Sequence, residues 1–343
     1  MQFGKADAER LSVLYILIEI MLKVENLTIR FDTRYGPLTA VDDVTFEVRP
    51  GEVFGLVGES GAGKSLTGQS IIGLLDPPGY IAGGQIALEG TRIDNLAYNQ
   101  LRALRGRKIG MIFQDPLTSL NPLYTIGKQL TETILTHSSM TNAEAQKQAI
   151  ELLTDVGIPG AAERINCYPH QFSGGMRQRV VIALALCVNP QLVIADEPTT
   201  ALDVSIQAQI LSLLKRMCRE HGAAVILITH DMGVISQVAQ RVAVMYSGRL
   251  VEIGDVRQVV KHPQHPYARG LMGSIPSLHH QVDQLTQIDG TMPRLTDIPS
   301  GCAFHPRCPD CFALCKEKRP PLKKIADSHI ACWLYANEAH HAG

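Results

Sequence analysis

The chain has 343 residues, a formal net charge of −1, 45% hydrophobic residues and only 5% aromatic residues. A chain of this length can hold one large domain with a substantial core and one additional module. The balanced charge and the lack of a long basic run argue against free nucleic acid as a partner. No apolar run reaches the length of about 20 residues that a membrane-spanning helix needs.

The first 20 residues form a separate N-terminal extension in our interpretation. Their apolar run, Leu11–Leu22, is interrupted by Ser12 and Glu19. Basic residues barely precede this run and no small-residue cleavage site follows it, so it does not fit a signal peptide. A strand-like stretch begins at Met21, where a compact domain can start. We therefore expect residues 1–20 to be a mis-assigned start or a disposable extension.

Two runs of alternating apolar and polar residues, Leu22–Phe31 and Leu38–Val48, come next. This alternation predicts half-buried antiparallel strands. The turn between them carries Tyr35, whose ring can stack on a purine base. A solvent-facing turn tyrosine without a ligand is the alternative for this residue taken alone.

A glycine-rich loop at Gly58–Ser65 matches the pattern G-x-x-x-x-G-K-[S/T]. The strand-like run Glu52–Val57 precedes it and the helix-like run Leu66–Leu75 follows it. Glycines let successive backbone N–H groups face phosphate oxygens, and the helix N-terminus adds partial positive charge. Lys64 can then reach the β- and γ-phosphates, and Ser65 can supply a hydroxyl ligand to Mg²⁺. A glycine-rich turn that happens to precede a helix is the alternative. The residues expected to bind a nucleoside triphosphate here are Gly58, Glu59, Ser60, Gly61, Ala62, Gly63, Lys64, Ser65 and Leu66.

Further strands and a helical region follow the loop. The stretch Gly83–Gly90 predicts one strand, and Ile109–Pro116 predicts a buried strand that ends at Gln114. Ligand sites lie at the carboxyl ends of strands in open α/β sheets, so Gln114 is a candidate to bind Mg²⁺ or position a water. Taken alone, Gln114 also fits a plain loop residue. Residues 117–190 show helical periodicity without valine-rich alternation, which predicts a helical insert.

Inside this insert, Ser173, Gly174 and Gly175 come directly before an apolar helix. Ser173 can cap that helix, and the N–H groups of the two glycines make a second candidate anion site. Such caps are common and usually only structural. In a chain that already holds a phosphate loop, this one becomes a candidate for contact with a second nucleotide.

Two later strands end in side chains suited to phosphate chemistry. The run Gln191–Pro198 predicts a buried strand that ends in Asp196 and Glu197, and Ala224–Thr229 predicts a strand that delivers His230. Asp196 suits Mg²⁺, usually through water, and Glu197 can orient or deprotonate the attacking water. His230 can donate to the γ-phosphate. A surface acidic pair and a structural histidine are the alternatives.

These motifs, in this order and at this spacing, resemble the nucleotide-binding subunits of ABC transporters over residues 22 to about 255. The resemblance implies an α/β P-loop NTPase (RecA-like) core with an antiparallel β subdomain, an α-helical subdomain and an irregular cysteine-rich C-terminal extension. It implies an ATPase domain at 22–260 with its helical insert at about 117–190.

The resemblance also implies roles for single residues. Tyr35 falls at the adenine-stacking position, and Asp203 falls in the loop that contacts the second subunit. The signature that touches the partner's ATP comprises Ser173, Gly174, Gly175 and Met176. Two residues depart from the family pattern, namely Phe172 where leucine is common and Met176 where glutamine is common.

The resemblance implies a working mechanism. Two such subunits pair head to tail, and each ATP lies between one phosphate loop and the signature of the partner. ATP binding closes the pair, hydrolysis reopens it, and the motion passes through the Gln114 loop and the helical insert to two transmembrane permease subunits. Peptide importers often combine two different ATPases, so a heterodimer with a homologous chain is expected. Because Glu197 and His230 are both present, this chain's own site should hydrolyse ATP.

The tail at 261–343 has a different composition, rich in proline and histidine. We expect an irregular extension held by something other than an apolar core. Five of the eight cysteines fall between Cys302 and Cys332. In a reducing cytosol such a cluster favours a metal centre over disulfides.

The tail resembles the C-terminal extension of oligopeptide/dipeptide importer ATPases, through its His-Pro-Tyr segment and the spacing of Cys302, Cys308, Cys315 and Cys332. In the dipeptide-importer members these cysteines are associated with a [4Fe–4S] cluster. Thiolate ligation fits such a cluster and also fits structural Zn²⁺. Cys311 lies outside the family pattern and is treated as a spare, although zinc would accept it with Cys308. Unconnected free thiols are the remaining alternative.

The implied function is an ATP-hydrolysing subunit that powers import of dipeptides or oligopeptides. It would be peripheral on the cytoplasmic face of the cell (inner) membrane, with a periplasmic or extracellular peptide-binding protein as an indirect partner. The same role for nickel, glutathione or antimicrobial peptides is one alternative. A soluble ABC ATPase of DNA repair or translation is another, but the sequence lacks the long coiled-coil insertions or fused cassettes usual in that class.

Overall fold

The fold is described from a computed structural model, which covers residues 20–200, 202–273 and 288–335. Residues 1–19 of the expected extension at 1–20 lie outside the described residues, as do Ala201 and, in the tail, residues 274–287 and 336–343.

A small antiparallel sheet opens the chain. It contains β1 (Leu22–Thr33), β2 (Gly36–Val48), β4 (Gly79–Leu88) and β5 (Thr91–Arg92) in the order β2-β1-β4-β5. The register of β1 against β2 runs from Leu22 opposite Val48 to Thr33 opposite Gly36. Alternating residues such as Leu22 and Val24 are fully buried, as the period of a half-buried strand requires.

The main sheet has eight strands in the order β11-β12-β10-β9-β3-β8-β7-β6. Its strands are β3 (Val53–Val57), β6 (Ile109–Ile112), β7 (Leu192–Asp196), β8 (Ala224–Thr229), β9 (Arg241–Tyr246), β10 (Arg249–Asp255), β11 (Lys323–Ile325) and β12 (Ser328–Ile330). Pairing is parallel from β9 through β3, β8 and β7 to β6, and antiparallel from β9 to β11.

Both faces of the parallel strands are covered. In β3, Phe54 and Leu56 pack into the core shared with the antiparallel sheet, whereas Val53 and Val57 pack into the core on the other face. This explains why β3, β7 and β8 are continuous apolar runs rather than alternating ones.

The strand expected to end at Gln114 is shorter than the sequence suggested. It ends at Ile112, because Asp115 caps a short helix by accepting a hydrogen bond of 2.8 Å from the N–H of Leu117. Gln114 therefore lies in the loop beyond the strand.

The described residues form twelve α-helices. They are α1 (Lys64–Ile72), α2 (Tyr98–Leu104), α3 (Pro116–Ser119), α4 (Ile126–His137), α5 (Asn142–Asp155), α6 (Ala161–Arg164), α7 (Gly174–Leu186), α8 (Val204–His221), α9 (Met232–Val238), α10 (Val256–Lys261), α11 (Pro266–Gly273) and α12 (Ala313–Glu317), with 3₁₀ turns at Pro169–Gln171 and His305–Arg307. Between β6 and β7 every regular element is helical. Side-chain caps start several of these helices, as at Thr141, which forms a capping box with Glu144 before α5.

The tail is anchored more firmly than its composition suggested. Strand β12 pairs with β10, and Tyr267 and Phe304 are fully buried in the core of the ATPase domain. Their rings pack edge-on or tilted against each other and against Tyr246 of β9, with centroids 4.7 to 5.4 Å apart. The expectation of an extension held without an apolar core is therefore wrong.

The architecture confirms the α/β fold class with a separate antiparallel sheet. Among the described residues, no helix is long and apolar enough to cross a membrane.

Truncation of the shared aromatic cluster should destabilise the protein. We expect Phe304→Ala to lower the free energy of unfolding by about 3–5 kcal/mol, since the cavity it leaves lies between tail and ATPase domain. Leu295→Ala removes a tail side chain that is 37% exposed and serves as the control. Urea unfolding of the two variants measures this, and equal midpoints would contradict the packing of Phe304 between the tail and the ATPase domain.

Candidate nucleotide-binding site

The phosphate loop connects β3 to α1, and its glycines are dictated by neighbouring backbone. Gly58 has φ +158°, and a Cβ there would lie 2.2 Å from the carbonyl oxygen of Met245 in β9. Gly63, at the N-cap of α1, has φ +97°, and a Cβ there would lie 3.2 Å from the carbonyl oxygen of Ala40. Both positions therefore favour glycine.

Lys64 folds back over this loop. Its Nζ donates to the carbonyl oxygens of Gly58 at 2.8 Å and Glu59 at 3.0 Å. Across the described part of the chain, no acceptor is bonded to the backbone N–H groups of Gly61, Gly63 and Lys64. A helix N-terminus with free N–H groups and a buried lysine is suited to an anion such as phosphate.

Two opposing influences act on the pKa of Lys64. Burial lowers the pKa of Lys64, while the carboxylates of Glu197, Asp196 and Glu59 act to raise it. Three carboxylates therefore act on the same lysine ammonium from around the phosphate loop.

Asp196 lies at the end of β7 and is 4% exposed. The hydroxyl of Ser65 donates to its Oδ1 at 3.0 Å. Burial raises the pKa of Asp196, and the Ser65 hydrogen bond partly offsets this effect. An adjacent hydroxyl and carboxylate are the kind of oxygen ligands that Mg²⁺ takes, alone or through water.

Glu197 is the centre of a hydrogen-bonded group. The Nδ1 of His230 lies 3.0 Å from Oε1, the hydroxyl of Thr200 donates to Oε2 at 2.8 Å, and the side-chain amide of Gln114 donates more weakly at 3.4 Å. The structure thus brings Gln114, Glu197 and His230 together.

The backbone of Glu197 is constrained as well. Its φ is +46°, a left-handed conformation that is uncommon outside glycine, and its N–H donates to the carbonyl of Ile228 at 2.9 Å. Burial alone would raise the pKa of Glu197, but hydrogen bonds from His230 and Thr200 and the charge of Lys64 lower it overall. The side chain is therefore held as a carboxylate, the form that can accept a proton from water.

Tyr35 and the signature lie on the surface. Tyr35 is 84% exposed, with the Arg34 guanidinium 4.8 Å from its ring centroid. Ser173 caps α7 by accepting from the N–H of Met176 at 3.3 Å, and a Cβ at Gly174 would meet open space. The unusual Met176 places its sulfur 3.3 Å from the Arg164 guanidinium.

Asp203 caps the next helix and is exposed. Its carboxylate accepts from the N–H of Ile206 at the start of α8. Exposure leaves Asp203, Ser173 and Gly174 accessible to another subunit.

Three contacts at the site were missed from the sequence. Thr200 follows Glu197 by three residues, and this spacing was a signal that could have been used. Tyr267 and Arg307, both distant in sequence, bond the phosphate-loop residue Glu59. No local pattern could have predicted those long-range contacts.

One cavity of about 10 Å³ is lined by the four cysteines that the sequence analysis identified in the tail, Cys302, Cys308, Cys315 and Cys332, and by His265 and Trp333. The N–H of Cys302 donates to the carbonyl of Cys315 at 2.8 Å. Burial raises the pKa of Cys308 to about 11 and of Cys332 to about 12, and the neighbouring thiols add to both shifts. All eight cysteines are free thiols, and Cys311 does not line this cavity.

The arrangement of these thiols does not match a single-ion site. Within residues 20–200, 202–273 and 288–335, no three histidine, cysteine, aspartate or glutamate side chains are placed to hold a metal ion.

The phosphate loop, the acidic end of β7 and the parallel sheet that joins them define a P-loop nucleoside triphosphatase. Residues 41–200 match the ABC transporter family model, and residues 251–315 match the model of the oligopeptide/dipeptide transporter C-terminal region. The chain belongs to the ABC transporter ATP-binding proteins of the oligopeptide/dipeptide transport family. It is an ABC-type ATPase, which uses ATP and Mg²⁺.

Curated relatives cover nearly the whole chain. It is 50% identical over 327 residues to the dipeptide transport ATP-binding protein DppD of Bacillus subtilis, covering 95% of this chain and 98% of that protein. It is 46% identical over 315 residues to the oligopeptide transport ATP-binding protein OppD of Salmonella typhimurium, covering 92% of this chain and 93% of the relative.

Solved structures are similar over the ATPase portion. A dimeric bacterial ABC transporter cassette matches with a TM-score of 0.64 and 30% identity, covering 69% of this chain and 99% of that one. A dimeric cassette in a post-hydrolysis state, bound to ADP and Pi, matches equally well. The predicted P-loop NTPase fold is thereby confirmed.

The hydrogen bonds to Glu197 predict a pH effect. Thr200→Val removes a bond that lowers the pKa of Glu197, so this pKa should rise toward its usual range. The carboxylate would then be lost at a higher pH, and the acid limb of the ATPase pH–rate profile should move upward. Steady-state hydrolysis across pH measures this, with Thr136→Val on α4 as the control. An unmoved acid limb would contradict the link between Thr200 and Glu197.

Proposed function

We propose that this chain is the ATP-hydrolysing subunit of an importer for dipeptides or oligopeptides. The observation that carries the proposal is the combination, in one chain, of the site centred on Glu197 with the oligopeptide/dipeptide transporter C-terminal region. The relatives are transport ATP-binding proteins for dipeptides and oligopeptides, which supports the same class of cargo here.

In this proposal each side chain of the site has one task. Lys64 and the free loop N–H groups bind the β- and γ-phosphates, while Ser65, Gln114 and Asp196 hold Mg²⁺ directly or through water. Tyr35 stacks on the adenine.

The proposed hydrolytic step uses Glu197 and His230, which directly follow strands β7 and β8. Glu197, held as a carboxylate, orients or deprotonates the attacking water, and His230 donates to the γ-phosphate. The 3.0 Å contact between His230 and Glu197 supports this division of roles because it places both groups at one point.

The second wall of the site comes from another subunit in our proposal. The Ser173–Met176 signature, in which Ser173 and Gly174 are exposed, would contact ATP bound to a partner. Asp203 and the adjacent Val204, which is 83% exposed, would pack at the same interface. The dimeric state of the related cassettes supports this arrangement. A homologous but different ATPase chain is the proposed partner.

The surface near Gln114 suits attachment to permease subunits. Four large apolar side chains near Gln114 in the sequence are between 36% and 79% exposed, namely Phe113, Leu117, Leu123 and Tyr124. Exposed apolar side chains concentrated in one segment are typical of interaction sites. We propose that two transmembrane permeases bind here, which places the chain peripherally on the cytoplasmic face of the membrane. The peptide-binding protein would act through those permeases.

We propose the division of the chain into an ATPase domain at 22–260 and an extension at 261–343. The match of residues 251–315 to a separate family region supports a boundary near residue 260, although the two parts share one apolar core.

Substitution of Glu197 tests the function directly. Glu197→Gln should reduce ATP hydrolysis by about a hundredfold or more, because the glutamine amide cannot accept a proton, while ATP binding persists. Cells that carry only this variant should lose dipeptide uptake. Glu220→Gln, an exposed site on α8, is the control. The proposal would be rejected if the Glu197→Gln cells took up dipeptides normally without ATP hydrolysis. It would also be rejected if these cells lost uptake of a different cargo but kept uptake of dipeptides.

We also propose a [4Fe–4S] cluster held by Cys302, Cys308, Cys315 and Cys332. Four cysteine thiols around one cavity are the donor set that such a cluster takes, with Cys315 and Cys332 buried and Cys302 and Cys308 half-buried, and structural Zn²⁺ is the alternative. The enclosed space is smaller than the cluster, so binding requires the cysteines to move apart. The cluster would be a one-electron carrier or a structural crosslink; the chain's own part is to supply thiolates and exclude water.

Metal content and colour test this second proposal. Protein purified without oxygen should be brown, absorb broadly near about 400 nm and contain iron. Cys308→Ser should lose both iron and colour, whereas Cys311→Ser should keep them. A colourless parent protein with stoichiometric zinc would show that the site binds Zn²⁺ instead of an iron–sulfur cluster. A parent protein without metal would reject both the cluster and Zn²⁺.

A further inference from the structure

Glu59, within the phosphate loop, is held by the C-terminal tail. Its backbone N–H donates to the hydroxyl of Tyr267 at 2.8 Å, and its carboxylate accepts from the guanidinium of Arg307 at 3.0 Å. On its other side, its carbonyl oxygen accepts from Lys64. The tail therefore bonds directly to a residue whose backbone also binds the phosphate-binding lysine.

Tyr267 is rigidly placed for this contact. Its side chain is fully buried, and its own N–H donates to Nδ1 of the buried His265 at 3.0 Å. The N–H of His265 in turn donates to the carboxylate of Glu252 in β10 at 2.8 Å. A buried strand residue thus fixes the start of α11, and with it the hydroxyl that meets the phosphate loop.

Arg307 is similarly fixed. Its guanidinium side chain is 8% exposed and donates to the carbonyl oxygens of Ile288, Asp289 and Gly290 at 2.7 to 3.3 Å. It also contacts the hydroxyl of Tyr246 at 3.4 Å. A planar guanidinium bound at several points is a pre-organised partner for a carboxylate.

The carboxylate of Glu59 would otherwise oppose ATP binding. Its charge acts on Lys64, so it lies within electrostatic range of the group that meets the phosphates. An uncompensated negative charge at this position would repel a triphosphate.

We propose that Tyr267 and Arg307 are positioning residues for ATP: they hold Glu59 so that the phosphate loop keeps its binding shape, and Arg307 offsets the Glu59 charge. The tail then forms part of the nucleotide site rather than serving only the cysteine cavity. This inference rests on ATP binding, which family membership establishes, and does not depend on the cargo or on the cluster.

The charge component is tested by suppression. Arg307→Gln in the full chain should raise the Kd for MgATP about tenfold, the size expected when a charged hydrogen bond is lost. Glu59→Gln combined with Arg307→Gln should return the Kd to within about threefold of the parent, because the repelling charge is gone. Titration with a fluorescent ATP analogue measures all of these values.

Matched controls separate this effect from general damage. Arg319→Gln removes another tail guanidinium, one that binds Asp42 on β2 instead of the phosphate loop, and should leave the Kd unchanged. Arg307→Lys, which keeps the charge, should lie between parent and Arg307→Gln. Thermal unfolding of each variant confirms that it is folded, and its iron and zinc contents are compared with the parent because Cys308 is adjacent.

The positioning component is tested at the tyrosine. Tyr267→Phe keeps the ring packing but removes the acceptor for the Glu59 N–H, and should raise the Kd about threefold to tenfold with kcat at saturating ATP little changed. Tyr335→Phe removes another tail hydroxyl, bonded to the carbonyl of Gln264, and is the control.

Two results would overturn the proposal. One is a Kd within twofold of the parent in both Arg307→Gln and Tyr267→Phe. The other is failure of Glu59→Gln to suppress Arg307→Gln in folded protein, since a purely structural role for Arg307 would not be relieved by neutralising Glu59.

Discussion

The parallel pairing of β3 with β8, and of β8 with β7, is the constraint on which the nucleotide site depends. Val57 lies opposite Thr229 and Asp196 lies opposite Ile228, so three chain segments distant in sequence emerge at one edge of the sheet. The phosphate loop, Glu197 and His230 begin immediately beyond these residues. Sheet register therefore sets the distances that catalysis requires, because it places these side chains close enough to contact one another.

Charge balance is the second organising feature. One buried lysine faces three carboxylates, and each carboxylate has a separate partner: Ser65 for Asp196, His230 for Glu197 and Arg307 for Glu59. Buried charges are tolerated when they are paired and hydrogen-bonded. Because each carboxylate has its own partner, the site can hold ionised groups for metal binding and proton transfer next to the phosphate loop, which must also bind the negatively charged ATP.

Much of the molecule could be predicted from the sequence, because its motifs are local. The phosphate loop, the acidic end of β7 and the strand before His230 each occupy a few consecutive residues whose spacing is fixed by backbone geometry. The end of β6 was placed too late, since the Asp115 cap that stops it competes with strand propensity. The anchoring of the tail was missed for a different reason: β12 pairs with β10 and Phe304 packs on Tyr246 across long sequence separations, which no local pattern reveals.

The pairing of β12 with β10 also bears on solubility. Without it, the seven-residue β10, whose central residues are all buried, would present unpaired N–H and C=O groups at the edge of the sheet. Such an edge is a template for association between chains. The tail instead ends the sheet with β11, which has three residues and carries two exposed lysines, Lys323 and Lys324. Short length and positive charge are features that discourage further strand addition, so the extension leaves the sheet with an edge that is poorly suited to association between chains.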